Sequence, residues 1–239
     1  MATFTRKQRE IQEREAQILN VARSILLTDG YHGLSMDRLA AEMEYAKGTL
    51  YNHFPNKEEI VVALALQSME LRRRYFEFAS MIRATTRNRL AAIGCACDFF
   101  ASECREHFAI EQMLRNGSIL EKSTEIRQGL VRQCEHRVMA IVAGVVRDAV
   151  ASGDLSLPAE LSPEEFVFGF WSLMFGSQIL VATSPAMGEI GVAEPMHTIR
   201  YHAWTLMNGY QWKPFYTFEE TQDHLEIVRQ RLLIEVERK

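Results

Sequence analysis

The sequence predicts an all-α chain: an N-terminal three-helix unit containing a helix-turn-helix, followed by a larger helical bundle. Three observations predict it. Apolar residues recur at helical spacing along nearly the whole length, and no alternating strand pattern persists. The six prolines all fall at breaks or loop positions. Residues 35–57, SMDRLAAEMEYAKGTLYNHFPNK, read as two short helices joined by a tight turn and closed by a proline. With 239 residues and 47% apolar content, the chain can bury a substantial core in one or two domains. The pattern divides it into domains at 1–60 and 61–239.

Each element has a local cause. The first helix ends at Asp29-Gly30-Tyr31. Ser35 is a good N-cap for the next, because its hydroxyl can accept an unsatisfied backbone N–H of the first turn. Leu34 and Leu39 flank that cap as a hydrophobic staple, although Arg38 stands where Glu or Gln would complete a capping box. Leu39, Ala40 and Met43 form the buried stripe of this helix. Ala46, Leu50 and Phe54 form the next at four-residue spacing. Pro55 disfavours helix at Phe54 and ends the segment. Asn56 then caps a further helix.

The second short helix leaves Lys47, Thr49, Asn52 and His53 outward, with Tyr45 and Tyr51 at its edges. Gly48 has no side chain, so another backbone can approach closely. A short polar helix held out in this way suits the major groove of double-stranded DNA. Lys57 sits in the first turn of a helix, where the macrodipole disfavours a cation. Two readings stay open for it. A bound phosphate would share the ammonium and the helix N–H groups, or Glu58 and Glu59 neutralise it locally.

From about Ala16 to Ala63 the chain resembles the DNA-binding domain of the TetR family of bacterial transcriptional regulators. The residues that carry the resemblance are AKGTLYNHFPNKEEI, preceded by LSMDRLAAEM and by the helix ending at Asp29-Gly30-Tyr31. The resemblance implies that residues 46–53 enter the major groove. It also implies that Ser35, Tyr51, His53 and Lys57 hold phosphates. Tyr45, Lys47, Gly48, Thr49 and Asn52 then lie near base edges. Net charge is −4, and residues 1–60 carry 8 Lys and Arg against 9 Asp and Glu, so charge must be segregated by position. Arg6, Lys7 and Arg9 read as a basic arm, either touching phosphate or the minor groove or serving as a solubilising tail.

Beyond residue 60 the pattern predicts helices over 57–82, 87–105, 108–116 and 121–151. In the last, Ile126, Leu130, Cys134, Val138, Ile141, Val145 and Ala149 form the expected inner stripe. Residues 166–187 carry no charge. Length alone would allow a membrane span. Glu164, Glu165 and Glu189 flank it in place of positive anchors, so a helix buried on two sides is expected instead. Met196, Ile199, Ala203, Leu206 and Tyr210 follow a bundle-seam spacing. Helices near 163–183 and 195–211 are expected to pair two protomers into a homodimer. The loop WKPFY and a helix at 218–237, through Leu225, Val228, Leu232 and Val236, have no assigned role.

The resemblance implies a small-molecule effector among the middle helices. Phe99, Phe100, Met113, Asn116, Trp171, Phe175 and Gln178 combine apolar walls with a few polar groups, the mixture that suits a hydrophobic ligand. Ordinary bundle core is the alternative for each. No phosphate-cradling glycine loop, HExxH or CxxC points to an enzyme, a metal or a cofactor. Cys95 and Cys97 point to different helix faces, and Cys104 and Cys134 fall in apolar stripes. The polar start argues for a cytoplasmic protein. The expectation is a ligand-responsive repressor on a palindromic operator. The alternative is an all-α interaction or sensor protein that keeps the fold without reading DNA.

Overall fold

The computed structural model describes residues 5–115, 117–184 and 186–237, the last three without their side chains. Among the described residues the structure is all-helical, with no strand. The helices are α1 (Arg6–Gly33), α2 (Met36–Glu42), α3 (Lys47–Tyr51), α4 (Lys57–Ser80), α5 (Thr86–Glu103) and α6 (Arg105–Met113). They continue with α7 (Gly117–Glu121), α8 (Glu125–Ala151), α9 (Pro163–Thr183), α10 (Pro195–Gly209) and α11 (Phe218–Glu237). The chain folds into two compact units, Met1–Glu70 with Arg105–Cys134, and Leu71–Cys104 with Glu135–Lys239. The pattern in the sequence suggested one cut near residue 60. The contacts divide the chain elsewhere because α4 and α8 each contribute to both units without a break or linker to mark the change.

In the first unit, Thr5 caps α1 through a reciprocal bond set with Gln8. Arg6 pairs with Glu10 one turn on, at 2.8 Å. The residues expected as a basic arm are therefore the first turns of a capped helix. At Gly30 the backbone turns to φ 68°, ψ −173°, a region that side chains resist, and the regular helix breaks there. Ile18, Ala22, Ile25 and Leu26 of α1 meet Leu34, Leu39, Leu50, Phe54 and the start of α4 in one core. Ile110, Ile119, Val131 and Cys134 join it from α6, α7 and α8. Each of the Ile, Leu, Val and Phe side chains removed from water here contributes about 1.5–3 kcal/mol.

One expected stripe is displaced. Ile126 is 78% exposed and Leu130 is 44% exposed, whereas Val131, Cys134, Val138, Val142, Val145 and Ala149 are buried. The first turn of α8 is fixed by polar bonds through Thr124 and Arg127 to Glu59. With Arg127 and Val131 turned inward, the adjacent row at 126 and 130 faces out.

In the second unit, α9, α10 and α11 all pack against α5. Pro163 opens α9 behind a capping box of Ser162 and Glu165. Although α9 is long and apolar enough to cross a membrane, its surface is divided. Phe166, Val167, Met174, Ser177 and Gln178 are buried, while Phe168, Trp171, Leu180 and Val181 are exposed. α11 docks on α5 through Leu225, Val228 and Leu232; the side chain of Val236 lies outside the described residues. The WKPFY link turns inward. Trp212 is fully buried, and its indole N–H donates to Thr86 Oγ1 at 3.1 Å. The buried Arg87 guanidinium holds this link by donating to Trp212 O and Asn208 Oδ1, both at 2.6 Å.

The four cysteines are thiols. Cys95 donates to Leu225 O of α11, whereas Cys97 meets Gln178 of α9, as expected for residues two apart. Burial pushes the Cys95 thiol up to about 12, which keeps it protonated and inert.

Candidate nucleic-acid interface

The turn between α2 and α3 is built by the backbone. Met43 ends α2, and Glu44 takes a left-handed φ of 54°. Its N–H then donates to Ala41 O at 3.2 Å, and that of Tyr45 donates to Ala40 O at 2.9 Å. This pair of bonds is a Schellman closure, usually formed with glycine at the left-handed position. Tyr45 is fixed further by its hydroxyl, which donates to Gln17 Oε1 of α1 at 3.0 Å. It is therefore tethered to the scaffold, not extended from it.

α3 is shorter than the expected 46–53, running from Lys47 to Tyr51. Ala46 is its N-cap and is exposed, so the inner stripe reduces to Leu50 and Phe54, both buried. Lys47, Gly48, Tyr51 and Asn52 are exposed, and Thr49 is half-buried. A Cβ at Gly48 would meet nothing within 4 Å. The protein's own packing does not demand glycine there, which leaves the position open to an approaching partner. The Lys47 ammonium lies 2.8 Å from Asp37, whose hydrogen bond raises it above the ordinary lysine range. Ser35 caps α2, accepting from the Arg38 N–H at 3.2 Å. Arg38 bridges Asp29 and Glu42 and donates to Gly33 O, so the entry to α2 is held from both sides.

Two residues read as phosphate grips are engaged inside the protein. His53 has only 9% of its side chain exposed, and its Nδ1 lies 3.5 Å from Glu15 Oε1 of α1. Lys57 donates to Tyr31 O at 3.2 Å and to Leu34 O at 3.1 Å, with its ammonium 4.0 Å from the Tyr31 ring centre. These bonds satisfy carbonyl oxygens at the end of α1 and before α2, and remove the conflict of a cation at a helix start. Asn56 caps α4 as expected, its Oδ1 accepting from the Glu59 N–H at 2.8 Å. Sequence reasoning did not find Tyr31. Its hydroxyl donates to Glu58 Oε1 at 2.7 Å, and burial, then the bond to Glu58, pushes the phenol up to about 12. The YHG stretch at the end of α1 was its sole local signal.

The candidate effector residues separate. Phe99 and Phe100 are buried on α5, and Gln178 of α9 donates to Cys97 O at 3.1 Å. Trp171 lies at the edge of the buried face of α9, between Val167 and Met174, and is exposed. Phe175 is half-buried. Met113 packs against the core of the first unit, not the second. Asn116 lies outside the described residues. Among the described residues no group of three His, Cys, Asp or Glu side chains is placed to hold a metal.

The profile described as "Bacterial regulatory proteins, tetR family" matches residues 18–64. Over 63 residues the chain is 40% identical to the HTH-type transcriptional regulator UidR of Escherichia coli K12, 26% of this chain and 32% of that protein. It thus spans about a third of the length of the first curated relatives it matches. It is 25% identical over 140 residues to the fatty acid metabolism regulator protein of Bacillus subtilis, 58% of this chain and 69% of that one. Among solved structures, a transcriptional regulator from Saccharomonospora viridis in complex with choline superposes with a TM-score of 0.62. It is 18% identical, with 82% of this chain and 96% of that chain covered, and the likeness is one of fold.

Proposed function

We propose that this chain is a homodimeric repressor of the tetR family of bacterial regulatory proteins, whose profile matches residues 18–64. It binds a palindromic operator through α2 and α3, and a small hydrophobic effector releases it. The observation that carries this reading is the surface of α3. Lys47, Gly48, Tyr51 and Asn52 are exposed, and Thr49 is half-buried, along a short helix and its C-cap whose other side is locked into a core by Leu50 and Phe54. Thr49 and Asn52 have the donors and acceptors to read base edges. Ser35 at the start of α2, Tyr51 and Lys47 hold phosphates, with Lys47 exchanging Asp37 for the backbone. His53 and Lys57 act behind them as buttresses.

Two reading heads must stand about 34–36 Å apart to occupy successive major grooves. The exposed apolar side chains Phe168, Trp171, Leu180 and Val181 of α9, with Leu206 of α10, supply a face for a second copy. Gly169 and Gly176 lie on α9 where an added Cβ would meet nothing within 4 Å, which suits close helix approach. The effector belongs in the second unit, near Phe99, Phe100 and Gln178, and a coupling of about 1–3 kcal/mol would change DNA affinity 5–150-fold. A related fold holds choline and a relative regulates fatty acid metabolism, so an apolar compound with a small polar head is the class to screen first. The cytoplasm, where the operator lies, is its place of action.

Selection of duplexes from a random-sequence library, read together with sedimentation, tests the proposal. A dimer that enriches an inverted repeat, with affinity falling steeply as salt rises, is the expected result. A monomer indifferent to every duplex at low salt would leave only the all-α interaction reading.

A further inference from the structure

Three consecutive residues open α4: two tie it to the end of α1 and the entry to α2, and the third ties it to the start of α8. Successive helical positions are about 100° apart, so Lys57, Glu58 and Glu59 leave in different directions. Lys57 reaches Tyr31 O and Leu34 O, just before the cap of α2. Glu58 accepts from the Tyr31 hydroxyl. Glu59, with 5% of its side chain exposed, accepts from the Thr124 N–H and from Arg127 Nε at the start of α8. Asn56, which caps the Glu59 N–H, donates its side-chain amide to Lys122 O at 3.2 Å. The Arg127 guanidinium lies 5.6 Å from the ring centre of Phe54, the buried residue that closes the helix-turn-helix.

Residues 122–127 therefore touch the last core residue of the reading pair and the first turn of α4, without using any side chain that faces out from α3. A carboxylate over the first turn of α8 is favoured by the helix dipole. Because it is buried, losing either partner leaves an uncompensated charge. α8 is uninterrupted from Glu125 to Ala151 and contributes to both units.

We infer that Glu59 and Arg127 are positioning residues for DNA recognition: their bond fixes the start of α8 against α4 and so sets the orientation of the α2–α3 pair. The inference rests on the proposed DNA-binding function. It requires that the bond act on affinity and not on stability alone.

The test uses full-length protein and an inverted-repeat duplex recovered by selection, at temperatures well below the Tm of each variant. Glu59→Gln and Arg127→Gln should each weaken binding by about fivefold or more. The salt slope should not change, because no phosphate contact is removed. Arg127→Lys should restore much of the loss, and the double variant should lose far less than the product of the single effects. Variants that melt earlier yet bind within about twofold of wild type, or whose losses simply multiply, would overturn the inference. Failure of the wild type to bind any duplex would instead count against the proposed function. If Glu59→Gln does not fold, amide exchange in the wild type decides. Adding the duplex should slow exchange at Thr124, and an unchanged rate there would also overturn the inference.

Discussion

Replacing Lys57 by Ala separates two roles that the sequence left open. In the structure the ammonium makes two hydrogen bonds, at 3.2 and 3.1 Å, to carbonyl oxygens, and stacks 4.0 Å from the Tyr31 ring centre. A hydrogen bond with a charged partner contributes about 1.5–3 kcal/mol. Here both bonds share one half-buried donor group, and the carbonyls regain some water when it is lost. The pair therefore contributes about 2–3 kcal/mol, and the ring contact adds about 0.5–1 kcal/mol. Lys57→Ala should thus destabilise the first unit by about 2–4 kcal/mol in total. Trp171, Trp204 and Trp212 all lie in the second unit, so tryptophan fluorescence is a poor reporter. Amide exchange across α2 is the assay, since Leu34 O lies at its entry. A simple phosphate grip at the surface predicts a different outcome. Stability would then change by less than about 0.5 kcal/mol, while DNA affinity fell and the salt slope dropped by about one. That combination would refute the clip.

Gly30→Ala should cost about 1–3 kcal/mol, because alanine must be held at φ 68°, ψ −173° although nothing lies within 4 Å of the new Cβ; urea unfolding followed by amide exchange of α1 measures it. Glu44→Gly should stabilise the first unit by about 1 kcal/mol by relieving the left-handed backbone in the α2–α3 turn, and a neutral or negative effect by the same assay would count against a strained turn. The phenol of Tyr31 titrates higher in the folded chain than its ordinary value of 10.0, at about 12. Its contribution to stability is full below pH 10 and is lost as pH rises through that interval. Tyr31→Phe should therefore flatten this part of the alkaline limb of stability against pH, and an unchanged limb would assign it to other groups. Thr49 and Asn52 substitutions should alter which duplexes are enriched in selection, without a uniform loss across sequences.

Much of the molecule was legible in order along the chain. Helix existence follows from apolar spacing, and the caps at Ser35 and Asn56, the break at Gly30 and the stop at Pro55 are local chemistry that few residues can supply. Residues 163–183 and 195–211 read as helices for the same reason, and the structure ends the second at Gly209. The outward set on α3 follows from its inner pair, Leu50 and Phe54, because side chains on a helix are fixed relative to one another.

What a side chain meets across the fold was decided only by tertiary structure. Nothing in the sequence near Lys57 says that its ammonium reaches back to Tyr31 and Leu34, or that His53 lies under α1. The same holds for Glu59, whose partners are 65 and 68 residues away. Those bonds hold Arg127 inward at the first turn of α8, and the apolar pair at 126 and 130 faces solvent there, although Cys134, Val138, Val145 and Ala149 are buried as periodicity expects. Met113 joins one core and Phe99 another for a similar reason, since α4 and α8 change neighbours midway without changing conformation. Local sequence sets which dihedral angles and which helix face are favourable. The partner of that face is chosen by the packing of distant segments, whose energies enter only when the chain is folded.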